Sequence, residues 1–235
     1  MTTHSPHIAS VTPVKEFVVL RRNAAGNATE GVSTAELDLA KEDIADLERY
    51  IDVNRGELFF ARGVILVEGD AERFLVPVLA RQQGYDLDEL GISVCSVSGT
   101  NFAPYLILLG PKGLAMPVGV FTDRDPRKPR KDGTRLKPLG PNRVVNQMLM
   151  HLVDNETWEA NGFKAILKLA PDYGVFMNSH TFEVDLFKAG LREAFAGAME
   201  AVGGNEKIRA RSTAMPFSRT LSRSERVVSP SDLQQ

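Results

Sequence analysis

The sequence predicts an α/β fold, a Rossmann-like parallel sheet flanked by helices with a small helical insertion, and three observations carry that reading. Short apolar runs rich in β-branched residues, Gly63–Val67 and Pro117–Thr122, read as strands buried on both faces. From residue 61 onward such runs alternate with segments of helical period, the signature of right-handed crossovers in a parallel sheet. Two acidic clusters, Glu68-Gly69-Asp70-Ala71-Glu72 and Asp123-Arg124-Asp125, stand just past the first and a later strand. In open parallel sheets, the crevice outside the carboxyl ends of the strands is where ligands bind.

Taken in order, Phe17–Arg21 reads as a strand, and the polar, glycine-containing segment after it reads as a linker, which closes a first region over 1–30. Ser33-Thr34-Ala35-Glu36 has the form of a capping box, and Leu37, Ala40, Ile44, Leu47 and Ile51 recur at steps of three and four. Together they predict a connecting helix over 34–51 within region 31–60. Residues 30–57 hold nine acids against three bases, so the outer face of that helix is either simply solvated or docks on a partner surface. Strands are then expected near 63–68, 92–97, 117–122 and 174–177, with helices near 70–83, 101–110, 141–153 and 180–201, the last broken near Gly190. In the 70–83 helix Ala71, Phe74, Leu75, Val78 and Leu79 fall on one apolar face, which assigns them to the core. The main domain spans 61–202, with an insertion at about 126–170 anchored by Trp158 and Phe163. The tail 203–235 is basic, and its last ten or so residues have the composition of a disordered segment.

The acidic clusters suit a hard divalent cation. Gly69 lets the chain turn sharply off its strand, so Glu68 stays at the strand tip while Glu72 falls in the first helical turn. Mg²⁺ or Mn²⁺ takes oxygen ligands and keeps several waters, which fits Glu68, Glu72, Asp123 and Asp125. A single cysteine, Cys95, and four scattered histidines supply no zinc spacing. Two plainer readings stand beside this one: Glu72 as a helix cap, and Asp123 with Asp125 as a solvated turn. Next to the second cluster, residues 126–143 hold Arg127, Lys128, Arg130, Lys131, Arg135, Lys137 and Arg143 against Asp132 alone. Pro126, Pro129, Pro138 and Pro141 forbid a continuous helix there. Arg127, Lys128, Arg130 and Lys131 are therefore the candidate contacts to a phosphate backbone, the alternative being a merely solvated loop.

The stretch Ala61-Arg62-Gly63-Val64-Ile65-Leu66-Val67-Glu68-Gly69-Asp70-Ala71-Glu72, taken with Asp123-Arg124-Asp125, resembles the Toprim domain. It is most similar to the overcoming-lysogenization-defect (OLD) family, which joins an ABC-type ATPase to a C-terminal Toprim nuclease. The resemblance implies a metal-dependent DNA endonuclease with two Mg²⁺ or Mn²⁺ ions per site. Ser98-Gly99 resembles a small-residue turn beside the Toprim crevice, and Thr181-Phe182-Glu183-Val184-Asp185 resembles a later acidic motif that supplies ligands to a second ion. The implied assignment puts Glu72 and Asp123 on one ion and Glu68, Glu183 and Asp185 on the other, with Asp125 bridging or behind them. Thr3–Ser10 resembles the switch-histidine loop that closes an ABC-type ATPase core, which would make 1–30 the end of an ATPase domain of the same longer protein. The resemblance covers residue 2 to about 190 and is most specific over 60–125. Family members carry a lysine shortly before a Phe-Ala helical stretch. The matching context here, Ala214-Met215-Pro216-Phe217-Ser218, has none, so Lys207 and Arg211 are the candidate substitutes.

Composition narrows the classes further. Hydrophobic content of 43% and charged content of 25% are those of an ordinary globular protein, and 235 residues suffice for one good core. A net charge of −2 argues against a uniformly basic nucleic-acid binder and leaves DNA contact to local patches. One cysteine suits a reducing cytoplasm, and neither a signal peptide nor an apolar run of about 18 residues points to a membrane. Strand passage would need a tyrosine nucleophile, yet Tyr50, Tyr85, Tyr105 and Tyr173 lie in no such context; primase activity would need a nucleotide-binding apparatus that is not seen. An Asp-x-Asp phosphatase would carry its motif after the first strand, not the later one. The rival reading is a catalytically inactive Toprim module that docks DNA or dimerises an ATPase, a homodimer being the simplest assembly.

Overall fold

The computed structural model describes residues 2–22, 27–50, 56–127 and 129–201. The expectations for Ile51, Lys128, Lys207, Arg211, Ala214–Ser218 and the 203–235 tail fall outside these residues. The chain divides into two compact units, Met1–Asp185 and Leu186–Gln235.

In the first unit an antiparallel hairpin, β1 (Val18–Arg22) with β2 (Thr29–Ser33), precedes a parallel sheet of β3 (Gly63–Val67), β4 (Ile92–Ser96), β5 (Val118–Thr122) and β6 (Val175–Met177). The parallel strands lie in the order β4-β3-β5-β6. The chain thus goes to one side of β3 first and to the other side afterwards. That reversal opens a crevice between the carboxyl ends of β3 and β5. The register, Val64 to Val118 and Leu66 to Val120, brings Glu68 beside the end of β5.

β3 alternates between two packed faces, as a central strand must. Val64 and Leu66 join a large core with Phe102, Leu106, Val145 and Leu149, while Val67 packs with Val76 and Leu87 on the other face. Ala9, Val14, Leu37, Leu39, Leu47 and Leu58 belong to the same large core, so the segments before residue 61 share the core that covers one face of β3. No helix among the described residues is long and apolar enough to cross a membrane.

Four expectations need correction. The segment after β1 returns as β2 and pairs with it from Val18–Ser33 to Arg22–Thr29. Thr34, expected inside a capping box, is instead fully buried at the base of this hairpin, where its backbone N–H and its hydroxyl both donate to the Phe17 carbonyl. The helix accordingly starts only at Lys41 (Lys41–Tyr50), and Leu37 and Leu39 are buried ahead of it. In the Asp70–Gln82 helix, Phe74, Leu75 and Val78 are exposed, and Glu72 and Val76 are the buried residues. The side of the helix that carries Glu72, Val76 and Ala80 faces in, where Val76 and Ala80 pack with Val67 and Leu87, so the stripe through Phe74 and Val78 faces outward. Finally, Phe163 is exposed and Ile166 is the buried anchor of its helix, whereas Trp158 does pack against the core.

The expected 141–153 helix is one run built of Gly140–Arg143, the π-helical Val144–Leu149 and Met150–Leu152. It begins against the end of β5: the Gly140 N–H donates to the Arg124 carbonyl at 3.0 Å and the Leu139 N–H to the Asp125 carbonyl at 3.2 Å. A β-carbon on Gly140 would lie 2.4 Å from the Asp123 carbonyl oxygen and 2.7 Å from the Arg124 Cα. Backbone atoms cannot yield as a side chain can. Gly140→Ala is expected to lower stability in urea denaturation by about 1–3 kcal/mol. Gly197→Ala, in the Arg192–Ala201 helix with nothing within 4 Å of the added carbon, should be neutral or stabilising.

Candidate active site

Glu68 is the first residue past β3. The chain continues through extended Gly69 into the Asp70–Gln82 helix, where the Glu72 Oε2 accepts the Gly69 N–H at 3.2 Å. Glu72 is therefore a genuine cap of the kind the plainer reading describes, and it is also buried beneath the crevice. On the other side, the Gly99 N–H donates to the Glu68 carbonyl at 2.9 Å, and Ser98 takes a left-handed φ of 53°. The Ser98-Gly99 turn thus lies directly against the Glu68 backbone.

The Glu68 carboxylate ties the two strand ends together. Its Oε1 accepts the Thr122 hydroxyl at 2.6 Å, the Asp123 N–H at 2.8 Å and an N–H of the Arg143 guanidinium. The Asp123 Oδ1 in turn accepts the Asn178 side-chain amide and the Phe182 N–H, both at 2.8 Å. Burial pushes the Asp123 carboxyl up to about 6, with the Glu68 and Glu72 charges adding and the Asn178 and Phe182 donors opposing. Asp125 sits in the left-handed region at φ 48°, and its carboxylate pairs with the other arm of the Arg143 guanidinium. Such a conformation costs about 1–3 kcal/mol and persists only where the surroundings over-determine it. Here the Leu139 and Gly140 amides and Arg143 all hold the turn.

Of the acids read from the sequence, Glu68, Glu72 and Asp123 thus share one electrostatic neighbourhood, and Asp125 joins it through Arg143. Glu183 and Asp185 come close along the chain, since the Phe182 N–H holds Asp123, but their carboxylates are placed otherwise. Glu183 is exposed, and Asp185 accepts the backbone N–H and the hydroxyl of Ser179. Arg127, Arg130 and Lys131 are exposed on the loop beyond Asp125, with Arg135 and Lys137.

Two observations bear on a hard cation. Every hydrogen bond that Glu68, Asp123 and Glu72 accept from described residues falls on a single oxygen of each carboxylate. The donor set is all oxygen, and beside burial the Glu68 and Glu72 charges help to raise Asp123, so in chemistry the set fits Mg²⁺ or Mn²⁺. As the side chains stand, however, no group of three or more carboxylate, imidazole or thiolate ligands among the described residues is gathered into a cage. Arg143 supplies the cation between Glu68 and Asp125 instead.

Thr122, Arg143 and Asn178 escaped the sequence reading. Asn178 follows β6 directly, so the rule that singled out Glu68 and Asp123, the residue just past a parallel strand, applies to it equally. In sequence Arg143 reads as one more base of the loop. Its signal is that it is the last of the run and is followed at once by the apolar Val144-Val145.

The Asp123 carboxyl in the folded chain lies at about 6, above its ordinary 3.8. It therefore contributes stability that is fully present below about pH 4 and is lost as pH rises through about 6. In urea denaturation with EDTA, the stability of Asp123→Asn relative to wild type should rise across that window and level off above it.

The family model described as overcoming lysogenization defect protein-like, TOPRIM domain, matches residues 59–125. Against the C-terminal region of the Burkholderia pseudomallei OLD protein the chain is 43% identical, with 66% of this chain and 72% of that one covered and a TM-score of 0.54. Against the C-terminal region of the Xanthomonas campestris pv. campestris OLD protein it is 42% identical, covering 66% and 71%, with a TM-score of 0.52. The uncharacterized protein YbjD of Escherichia coli (strain K12) is 31% identical over 127 residues, 54% of this chain and 23% of YbjD. The chain thus spans under a quarter of that curated relative. Matched in sequence and in fold to the C-terminal regions of OLD proteins, with the crevice acids inside or at the edge of the matched segment, the chain belongs to the OLD-like Toprim family.

Proposed function

We propose that this chain is the Toprim nuclease portion of an OLD-family protein, a divalent-metal-dependent endodeoxyribonuclease. The observation that carries the reading is the meeting of Glu68 and Asp123 at the sheet's switch point, with Glu72 behind them and the Asp123 carboxyl pushed up to about 6. Glu72 and Asp123 would hold one Mg²⁺ or Mn²⁺, and Glu68 with Glu183 and Asp185 the other, with Asp125 bridging or behind them. Bound ions would neutralise charge on the scissile phosphate and activate a water at neutral pH. The chain's own part is orientation. Thr122 and the Asp123 N–H fix Glu68, while Asn178 and the Phe182 N–H fix Asp123. The exposed bases Arg127, Arg130 and Lys131, with Lys128, would hold the DNA backbone beside these acids.

The reading extends to an ATPase portion of the same longer protein as partner, in the cytoplasm, in a dimer of such chains. A second reading, an inactive Toprim module that only docks DNA or dimerises an ATPase, is favoured by the ion pairing of Glu68 and Asp125 with Arg143. A nicking assay on supercoiled plasmid separates the two. With Mg²⁺ or Mn²⁺ the wild type should nick, Asp123→Ala should fall to background, and Asn178→Ala should lose about 10–100-fold, as for the loss of a group that orients a ligand. DNA binding without nicking under either metal would overturn the enzyme reading. Arg130→Gln with Lys131→Gln should weaken DNA binding at every sequence and reduce the slope of log K against log salt by about 2.

A further inference from the structure

Arg143 is among the buried polar and charged residues of the structure, at 6% exposure, and it lies inside the acidic crevice rather than on the basic loop that precedes it. One guanidinium nitrogen donates to the Glu68 Oε1 and, at 3.1 Å, to the Thr122 hydroxyl; the other donates to the Asp125 Oδ2. Its backbone is held on both sides. The preceding turn is fastened to Arg124 and Asp125 through Gly140 and Leu139, and the following π-helical turns bury Val144, Val145, Met148 and Leu149 in the core. A guanidinium cannot shed its charge at any pH a protein survives. Its single positive charge therefore offsets one of the two negative charges of Glu68 and Asp125 for as long as it stays between them. It also lands on the same Glu68 oxygen that the other donors use.

Resting on the hard-cation reading of this crevice given above, we infer that Arg143 is a resident counter-ion that competes with the divalent ion for Glu68 and Asp125. It is a positioning residue that sets the ion concentration at which the crevice loads. A dication approaching these carboxylates meets a fixed positive charge a few ångströms away, and in a partly buried site that repulsion is only weakly screened. Loading at these carboxylates is thus opposed for as long as the guanidinium stays between them, even though the second oxygen of each accepts no hydrogen bond from a described residue.

The test is a titration of the full chain with Mn²⁺, read by the rise in melting temperature, for wild type, Arg143→Gln and Arg143→Lys. Arg143→Gln should melt lower than wild type without metal, yet respond at an Mn²⁺ midpoint about tenfold lower or less, because the competing charge is gone. Arg143→Lys keeps the charge and loses the fork, so its midpoint should fall between the two. In wild type, the side-chain ¹⁵N resonance of Arg143 should shift as Mg²⁺ is added, in step with binding. Should Arg143→Gln fail to fold, the lysine variant and the resonance still decide. A wild type that binds Mn²⁺ while Arg143→Gln binds no tighter, or an Arg143 resonance unmoved at saturating Mg²⁺, overturns this inference and leaves the nuclease reading standing. If neither wild type nor the variants respond to Mn²⁺, both fall together.

Discussion

One carboxylate oxygen organises this site. The Glu68 Oε1 receives donors from the end of β5, from its backbone and from the helical run that follows the basic loop. Hydrogen bonds to an ionised acceptor are about twice as strong as neutral ones, and these three converge on it from two segments, the end of β5 and the helical run at Arg143. The parallel register alone would put Glu68 near Thr122. The carboxylate turns that proximity into a fixed geometry, which orients the Asp123 backbone and with it the Asp123 side chain toward Asn178 and Phe182.

Charge balance follows from the same point. Three acids in a half-buried crevice repel one another, and the structure answers in two ways. Asp123, raised by burial and further by the Glu68 and Glu72 charges, holds its proton more tightly than an ordinary carboxyl, while Glu68 and Asp125 receive the guanidinium of Arg143. The loop between Asp125 and Gly140 leaves the crevice with exposed bases and returns to it with a buried one. Its two ends are fastened to each other by the Gly140 and Leu139 amides, so the left-handed turn at Asp125 and the start of the helical run form one backbone unit. Only glycine at 140 permits that approach.

Membership of the OLD-like Toprim family frames this arrangement without supplying it. The matched segment, 59–125, contains Glu68, Glu72, Asp123 and Asp125, but Arg143 and Asn178, which complete the network, lie beyond it. Glu183 and Asp185 follow Asn178 closely, and the Ser179 contacts of Asp185 show that the same short segment can serve local structure.

Much of this was legible in the chain itself. The β-branched runs predicted all four parallel strands to within a residue or two, because a strand buried on both faces must be apolar throughout, and the acids past two of those strands marked the crevice. What the sequence could not determine were the choices made by distant partners. The capping signal at Ser33–Glu36 lost to strand pairing with residues seventeen or fewer positions earlier, where Thr34 completes hydrogen bonds that no local helix could offer it. The apolar stripe of the Asp70–Gln82 helix was visible, but the side that packs is the one through Val76 and Ala80, against Val67 and Leu87, which leaves Phe74 and Val78 outward. Arg143 looks in sequence like its neighbours Arg135 and Lys137; only the fold, by carrying its backbone to the tips of β3 and β5, made it the cation of the crevice. Periodicity and charge are local properties, whereas the identity of the group that neutralises a buried carboxylate depends on which segments the tertiary structure brings within hydrogen-bond reach.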